Sequence, residues 1–235
     1  MNEHTAKAFD VDLQGLTRLV AEMGGLAEKQ IADSVDALAT RDGERAKRVV
    51  AVDPSIDALQ HEIEEKAVLT IARRQPMAVD LREIVSALRV ANDLERIGDL
   101  AKNIGKRVAA LTGEFHPPKL MRGVEHMAAM VLGQLKAVLD SHATHDLTKA
   151  LAVWNGDEEI DAMCTSLFRE LLTYMMEDPR NITFCIHLMF CAKNIERMGD
   201  HATNIAETVY YMIEGRAIAD ERPKGDTLAA LAAEQ

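Results

Sequence analysis

Acidic residues spaced one helical turn apart occur four times in this chain of 235 residues. Two of the pairs are Asp-x-x-x-Asp and two are Glu-x-x-x-Asp; their members are Asp53, Asp57, Glu95, Asp99, Asp157, Asp161, Glu196 and Asp200. Residues four apart lie on one face of a helix, and two like charges there cost about 0.2–0.5 kcal/mol. Carboxylate oxygens are the ligands that hard cations prefer, so a bound cation would offset that repulsion.

Each Glu-x-x-x-Asp pair belongs to a longer motif, Glu-Arg-x-Gly-Asp, which an asparagine follows four residues later. The accompanying residues are Arg96, Asn103, Arg197 and Asn204. The asparagines could add or orient a metal ligand, whereas the arginines could form ordinary ion pairs with the aspartates. His201 is a further candidate ligand, although Leu100 stands at the equivalent position of the first motif. The spacing alone leaves open both a metal site and a solvated ion-pair face.

The register of two helical hairpins predicts where the acids meet. If the chain turns near residue 76, Asp57 lies level with Glu95, and Asp53 lies level with Asp99. A turn between residues 178 and 179 pairs the other four acids in the same way, and a proline lies at each turn. Because packed helix axes are about 8–10 Å apart, four carboxylates should converge on one patch in each hairpin. All-oxygen ligation favours Mg, Ca, Mn or iron.

The elements that position these acids are long helices. Only 4% of residues are aromatic, and helical periodicity extends over six segments separated by Gly, Pro or small polar residues. These segments are 6–40, 44–73, 79–112, 118–142, 146–176 and 180–214. The second half repeats the motifs of the first at offsets of 104 and 101 residues. We therefore predict an all-α fold of two tandem antiparallel three-helix bundles related by internal duplication, over residues 1–115 and 116–215, with a flexible tail at 216–235.

The third helix illustrates the predicted division between core and site. Its apolar residues recur every three or four positions, which predicts one buried stripe opposite the acids; they are Val90, Leu94, Ile97, Ala101, Ile104, Val108 and Leu111. Glycine inside a helix costs about 1 kcal/mol relative to alanine. Gly98 and Gly199, at matching positions, therefore indicate a close helix approach or bare backbone near the site.

Composition excludes several classes of protein. A net charge of -11 disfavours nucleic-acid binding, and no apolar run is long enough to cross a membrane. Three cysteines without a Cys-x-x-Cys pair, and a beginning unlike a signal peptide, lead us to expect a cytoplasmic protein. No P-loop, Gly-x-Ser-x-Gly, His-Glu-x-x-His or Glu-x-x-His motif is present, so we do not expect an enzyme.

The duplicated Asp-x-x-Ile-Asp and Glu-Arg-x-Gly-Asp motifs, over residues 5 to 214, resemble those of the PhoU family. The resemblance implies a cytoplasmic negative regulator of the phosphate-starvation response that modulates phosphate uptake. Such a protein is an adaptor between the ATPase subunit of a phosphate ABC transporter and a membrane sensor histidine kinase. It would lie at the inner membrane through these partners, without inserting into it.

The resemblance also implies a homodimer and metal clusters on the acidic surfaces. The eight acids would then hold divalent or trivalent ions, with Fe, Mn, Mg and Zn as the candidates. The alternative functions are a metal-dependent enzyme and a metal-storage protein that use the same acids.

Overall fold

Residues 2–111 and 118–219 are described by a computed structural model, and over these ranges the chain forms helices and no strand. Within these two ranges there are seven α-helices: α1 (Asn2–Thr40), α2 (Gly43–Arg74), α3 (Val79–Ala110), α4 (Pro118–Thr144), α5 (Leu147–Asn155), α6 (Asp157–Glu177) and α7 (Ile182–Glu214). A 3-10 turn, Pro179–Asn181, joins α6 to α7. The first bundle is α1–α3, and the second is α4 with α5, α6 and α7. The all-α prediction is confirmed.

One predicted helix is interrupted. The segment predicted as 146–176 divides at Gly156, between α5 and α6. At this break the Gln134 side chain donates a hydrogen bond to the Gly156 carbonyl over 2.8 Å. The equivalent residue in the first bundle is Val52, and α2 continues there without a break. The prediction of one continuous helix was therefore wrong, and α5 with α6 occupies the place of α2.

The two predicted hairpin turns are present at the expected positions. In the first, α2 ends at Arg74 and is capped by Gln75, which adopts a left-handed conformation (φ 51°), and α3 begins at Val79. In the second, α6 ends at Glu177 and is capped by Asp178, whose Oδ1 accepts a hydrogen bond of 3.0 Å from the Arg180 amide. Because both turns are short, the neighbouring helices are held in one register, and this register places the acids.

The central helices α3 and α7 join the two bundles into a single core. Near the start of α3, Arg82 Nε donates to the carbonyl of Met212, near the end of α7, over 3.2 Å. Near the end of α3, the Arg107 guanidinium lies 4.1 Å from the centre of the Phe190 ring, near the start of α7. The two helices are therefore antiparallel. The predicted apolar stripe of α3 is confirmed, since all seven of its residues are at most 2% exposed.

Gly98 and Gly199 mark equivalent close approaches between helices. A Cβ atom on Gly98 would lie 3.0 Å from Ile56 Cδ1, and one on Gly199 would lie 3.0 Å from Ile160 Cδ1. The contacted isoleucines belong to the two Asp-x-x-Ile-Asp motifs. The prediction of close helix approach is confirmed, and it brings the two acid-bearing helices of each hairpin together.

The described residues include no helix long and apolar enough to cross a membrane. Gly215, with φ 73°, caps the end of α7, and residues 216–219 are not helical. The predicted flexible tail lies outside the described residues from 220 onward, as does the break between the bundles at 112–117.

Candidate site: two carboxylate clusters

The eight predicted acids fall into two groups, one in each hairpin. We call Asp53 and Asp57 of α2, with Glu95 and Asp99 of α3, the first cluster. We call Asp157 and Asp161 of α6, with Glu196 and Asp200 of α7, the second cluster. Each cluster lies beside the contact between a motif isoleucine and the facing glycine.

Lys102 connects the two helices within the first cluster. Its ammonium donates to Asp53 Oδ2 over 2.6 Å and also to Asp99 Oδ1. Asp53 and Asp99 therefore lie level with each other, as the hairpin register predicts. Burial opposes the charges of both partners, but the paired hydrogen bonds raise the pKa of Lys102 above its usual value and lower that of Asp99.

Glu95 lies beside an arginine of its own helix. Its side chain is 13% exposed, and Arg96 Nε lies 2.9 Å from Oε2. Buried Oε2 nevertheless accepts no hydrogen bond from any residue in the described ranges. The Arg96 N–H bond is therefore not aligned with this oxygen. Burial, followed by the charge of Asp99 and in smaller part that of Asp57, raises the pKa of Glu95.

Glu196 occupies the equivalent position in the second cluster. Lys193 donates to its Oε1 over 2.5 Å, whereas buried Oε2 has no hydrogen-bond partner in the described part of the chain. Burial raises the pKa of Glu196, and the charges of Asp200 and Asp161 raise it further against the opposing effect of Lys193. Asp157 accepts a hydrogen bond of 3.1 Å from the Thr203 hydroxyl.

The donor atoms of both clusters suit a hard cation, since all are carboxylate oxygens and each cluster contains a buried oxygen without a hydrogen bond. As arranged, however, no three His, Cys, Asp or Glu side chains of the described residues are grouped to hold a metal ion. In the first cluster, Lys102 occupies the space between Asp53 and Asp99. Metal binding would therefore require the carboxylates to rotate and, in the first cluster, the lysine to withdraw.

The predicted supporting residues have different surroundings. Arg96 forms the ion pair that the solvated-face interpretation predicts, with its Nη1 3.3 Å from Asp99 Oδ2. Asn103 and Arg197 are exposed, and Asn204 lines a groove of about 300 Å³ between α3 and α7. His201 Nδ1 lies 2.8 Å from Asp93 Oδ1 on α3, so this histidine links the two bundles.

Sequence reasoning missed Lys102, Asp93 and Cys164 as neighbours of the clusters. Lys102 stands three residues after Asp99, and this spacing is a detectable signal. Burial raises the pKa of Cys164 to about 12, with a contribution from the charge of Glu196, which places this thiol beside the second cluster. The contact of Asp93 with His201 has no sequence signal, because it depends on which faces of α3 and α7 meet.

The two bundles also correspond to two copies of a known domain. A family model described as PhoU domain matches residues 20–108 and again residues 124–209. The chain belongs to the PhoU family. The two matched segments contain the two hairpins and all eight acids, so the duplication deduced from the motifs agrees with the family's repeated domain.

Similar proteins cover nearly the whole chain. The phosphate-specific transport system accessory protein PhoU homolog of Rhizobium meliloti is 58% identical over 228 residues, covering 97% of this chain and 96% of the relative. The homolog of that name in Caulobacter vibrioides is 53% identical over 229 residues, covering 97% and 100%.

A solved structure has the same fold. The crystal structure of PhoU from Pseudomonas aeruginosa matches with a TM-score of 0.85 and 39% identity, covering 88% of this chain and 100% of that chain.

Proposed function

We propose that this chain is an accessory regulator of phosphate transport. The observation that carries the proposal is family membership over both bundles, with a relative of 58% identity named as an accessory protein of the phosphate-specific transport system. In this function the chain acts in the cytoplasm as an adaptor between the transporter's ATPase subunit and a sensor histidine kinase. It restrains the phosphate-starvation response when phosphate is plentiful.

The geometry is suited to an adaptor. The helices α3 and α7 comprise 32 and 33 residues, and they present long faces on a single core. Exposed apolar side chains lie near both hairpin turns, including Met77 at 80% and Met176 at 85%. Exposed apolar groups of this kind suit contact with other proteins. Formation of a homodimer is part of the same proposal.

The carboxylate clusters supply the second part of the proposal, which is binding of divalent or trivalent metal ions. Asp53, Asp57, Glu95 and Asp99 would hold ions in the first bundle, and Asp157, Asp161, Glu196 and Asp200 in the second. A bound cation would neutralise converging carboxylates and join the two helices of a hairpin electrostatically. The support is the donor chemistry and the buried oxygens of Glu95 and Glu196 that lack hydrogen bonds.

Deletion and complementation in the source organism test the regulatory role. A reporter of the phosphate-starvation response should become active in high phosphate when the gene is deleted, and the intact gene should restore repression. A gene that encodes Asp57→Asn and Asp161→Asn tests the contribution of the clusters, with the exposed His126→Gln as a control. A deletion strain that still represses the reporter in high phosphate would contradict the proposed function.

A further inference from the structure

A groove between α3 and α7 contains polar groups that the carboxylate clusters do not use. Its volume is about 300 Å³, at the lower end of the range for small-molecule sites in proteins. The lining comes from α3, from the C-terminal part of α7 and from the segment after α7, and it includes Arg89, Asn204, Glu207, Thr208, Tyr211 and Ile218. Because α3 belongs to the first bundle and α7 to the second, a molecule bound in this groove would contact both bundles.

Thr208 is the most deeply buried polar residue of the groove, with 7% of its surface exposed. Its hydroxyl nevertheless has no hydrogen-bond partner among the described residues. Thr203, five residues earlier in the same helix, is also buried, but its hydroxyl donates to the Gly199 carbonyl over 3.1 Å. Buried polar groups are almost always hydrogen-bonded to protein, water or ligand. The Thr208 hydroxyl is therefore available to a molecule in the groove.

Arg89 gives the groove a positive charge. Its guanidinium lies 5.1 Å from the centre of the Tyr211 ring, and it forms no ion pair with an acid of the described residues. A guanidinium stacked on a ring retains the N–H donors at its edge. Asn204 adds an amide, which likewise has no hydrogen bond to another described residue. Guanidinium, amide and hydroxyl donors together suit the oxygens of an anion.

Glu207 limits which anions fit the groove. Its Oε1 accepts a hydrogen bond of 3.2 Å from the Trp154 indole, which uses only part of what a carboxylate can accept. A bare anion beside this carboxylate is repelled by its charge. A ligand that also carries hydroxyl groups can donate hydrogen bonds to Glu207 and so offset that repulsion. The lining therefore matches a hydroxylated anion better than a simple inorganic one.

We propose that this groove binds a small phosphate monoester that carries hydroxyl groups. The phosphate accepts hydrogen bonds from Arg89, Asn204 and Thr208, because its three terminal oxygens can meet donors from two helices at once. The hydroxyl groups donate to Glu207, and the Tyr211 ring packs against the carbon skeleton. The inference goes beyond the proposed function, since it needs neither the adaptor role nor metal binding.

The position of the groove gives such a ligand a structural effect. Arg89 lies on α3 and the other three polar contacts lie on α7, so an occupied groove adds hydrogen bonds that join the two bundles. Ile218, which also lines the groove, follows the end of α7 by four residues. Binding of the phosphate monoester would therefore stabilise both the junction of the bundles and the start of the segment after α7.

The only tryptophan of the chain provides a reporter of binding, because its indole is hydrogen-bonded to Glu207. The full-length chain is titrated with ribose 5-phosphate and followed by Trp154 fluorescence and, independently, by isothermal titration calorimetry. Saturable binding at millimolar concentration or below is expected. Inorganic phosphate should bind at least about threefold more weakly, because it lacks the hydroxyl groups that reach Glu207. Ribose, which lacks the charge, should not bind at these concentrations.

Three variants assign the contacts. Arg89→Met should weaken binding of ribose 5-phosphate about tenfold or more, because hydrogen bonds between charged groups are the strong ones. Thr208→Val replaces the hydroxyl by a methyl group and should weaken binding about threefold or more. Arg107→Met is the matched control, since Arg107 also lies on α3 and stacks at 4.1 Å on a ring of α7, that of Phe190, outside the groove. It should change the affinity less than about twofold, because its charge is distant and screened.

Circular dichroism of each variant distinguishes loss of folding from loss of binding. Absence of saturable binding of ribose 5-phosphate to wild type would overturn the inference, as would wild-type affinity in Arg89→Met or equal losses in Arg89→Met and Arg107→Met. Inorganic phosphate that binds as tightly as the ester would overturn the assignment of a hydroxylated ligand. None of these results bears on the regulatory role, which the reporter experiment tests separately.

Discussion

Acid should destabilise this protein through the buried histidine His142. His142 lies in the last turn of α4 with 4% of its surface exposed. Its Nε2 has no hydrogen-bond partner among the described residues. Burial, with a smaller contribution from the charge of nearby His145, lowers the pKa of His142 to about 4. The folded chain therefore holds this side chain neutral.

The direction of the pH effect follows from the two end states. In the unfolded chain a histidine has a pKa of about 6.5, so it gains a proton before the folded chain does. Stability from this residue is fully present at neutral pH and is lost as pH falls below about 6.5 toward 4. For a folded pKa of about 4, proton linkage gives a loss of about 2 kcal/mol at pH 5 and about 3 kcal/mol at pH 4.

Urea unfolding at pH 7 and pH 5 measures this contribution. His142→Gln removes the titrating group, so the decrease in unfolding free energy between the two pH values should be about 2 kcal/mol smaller than in wild type. Because each protein is compared with itself at the two pH values, the result is independent of any change in stability that the substitution causes at pH 7. His126→Gln, at an exposed position, controls for the loss of a histidine. If His142→Gln and wild type lose equal stability between pH 7 and pH 5, the burial argument is refuted.

Three further predictions concern packing, thiols and the first cluster. Gly133→Ala should raise the melting temperature, because the new Cβ would contact nothing within 4 Å. Gly98→Ala should not raise it, because its Cβ would lie 3.0 Å from Ile56 Cδ1. Equal increases in melting temperature would contradict the close approach at Gly98. Native protein at pH 8 should react negligibly with a thiol reagent and denatured protein should react fully, because burial raises the pKa of all three thiols, Cys164, Cys185 and Cys191. Burial and neighbouring acids raise the pKa of Glu95, so its ionised form opposes folding. Glu95→Gln should therefore raise the melting temperature at pH 7 in EDTA. A decrease in melting temperature would show that the folded protein stabilises the carboxylate.

The sequence predicted the helices and the hairpin register because both depend on local patterns. The stripe from Val90 to Leu111 repeats at the helical period, and its burial follows directly from that period. Short turns near residues 76 and 178 leave little freedom in how the helices pair. The level positions of Asp53 and Asp99 beside Lys102 follow from those turns.

The features that sequence reasoning missed depend on tertiary geometry. Lys102 contacts Asp53 only because α2 and α3 pack closely enough for its long side chain to cross between them. The pair of Asp93 with His201 requires knowledge of how the two bundles face each other. The break at Gly156, whose carbonyl accepts a hydrogen bond from the Gln134 side chain, was missed because a lone glycine in a helical pattern is ordinarily tolerated.

Direct binding of the full-length chain to the ATPase subunit of its organism's phosphate transporter tests the central claim most directly. With the ATPase subunit immobilised for biolayer interferometry, the chain should bind at micromolar concentration or below, and an ATPase subunit from an unrelated transporter should not capture it. Saturable binding to the phosphate transporter subunit alone is the result that the adaptor account predicts. Absence of binding, with and without Mn²⁺, or equal binding to both subunits would contradict it.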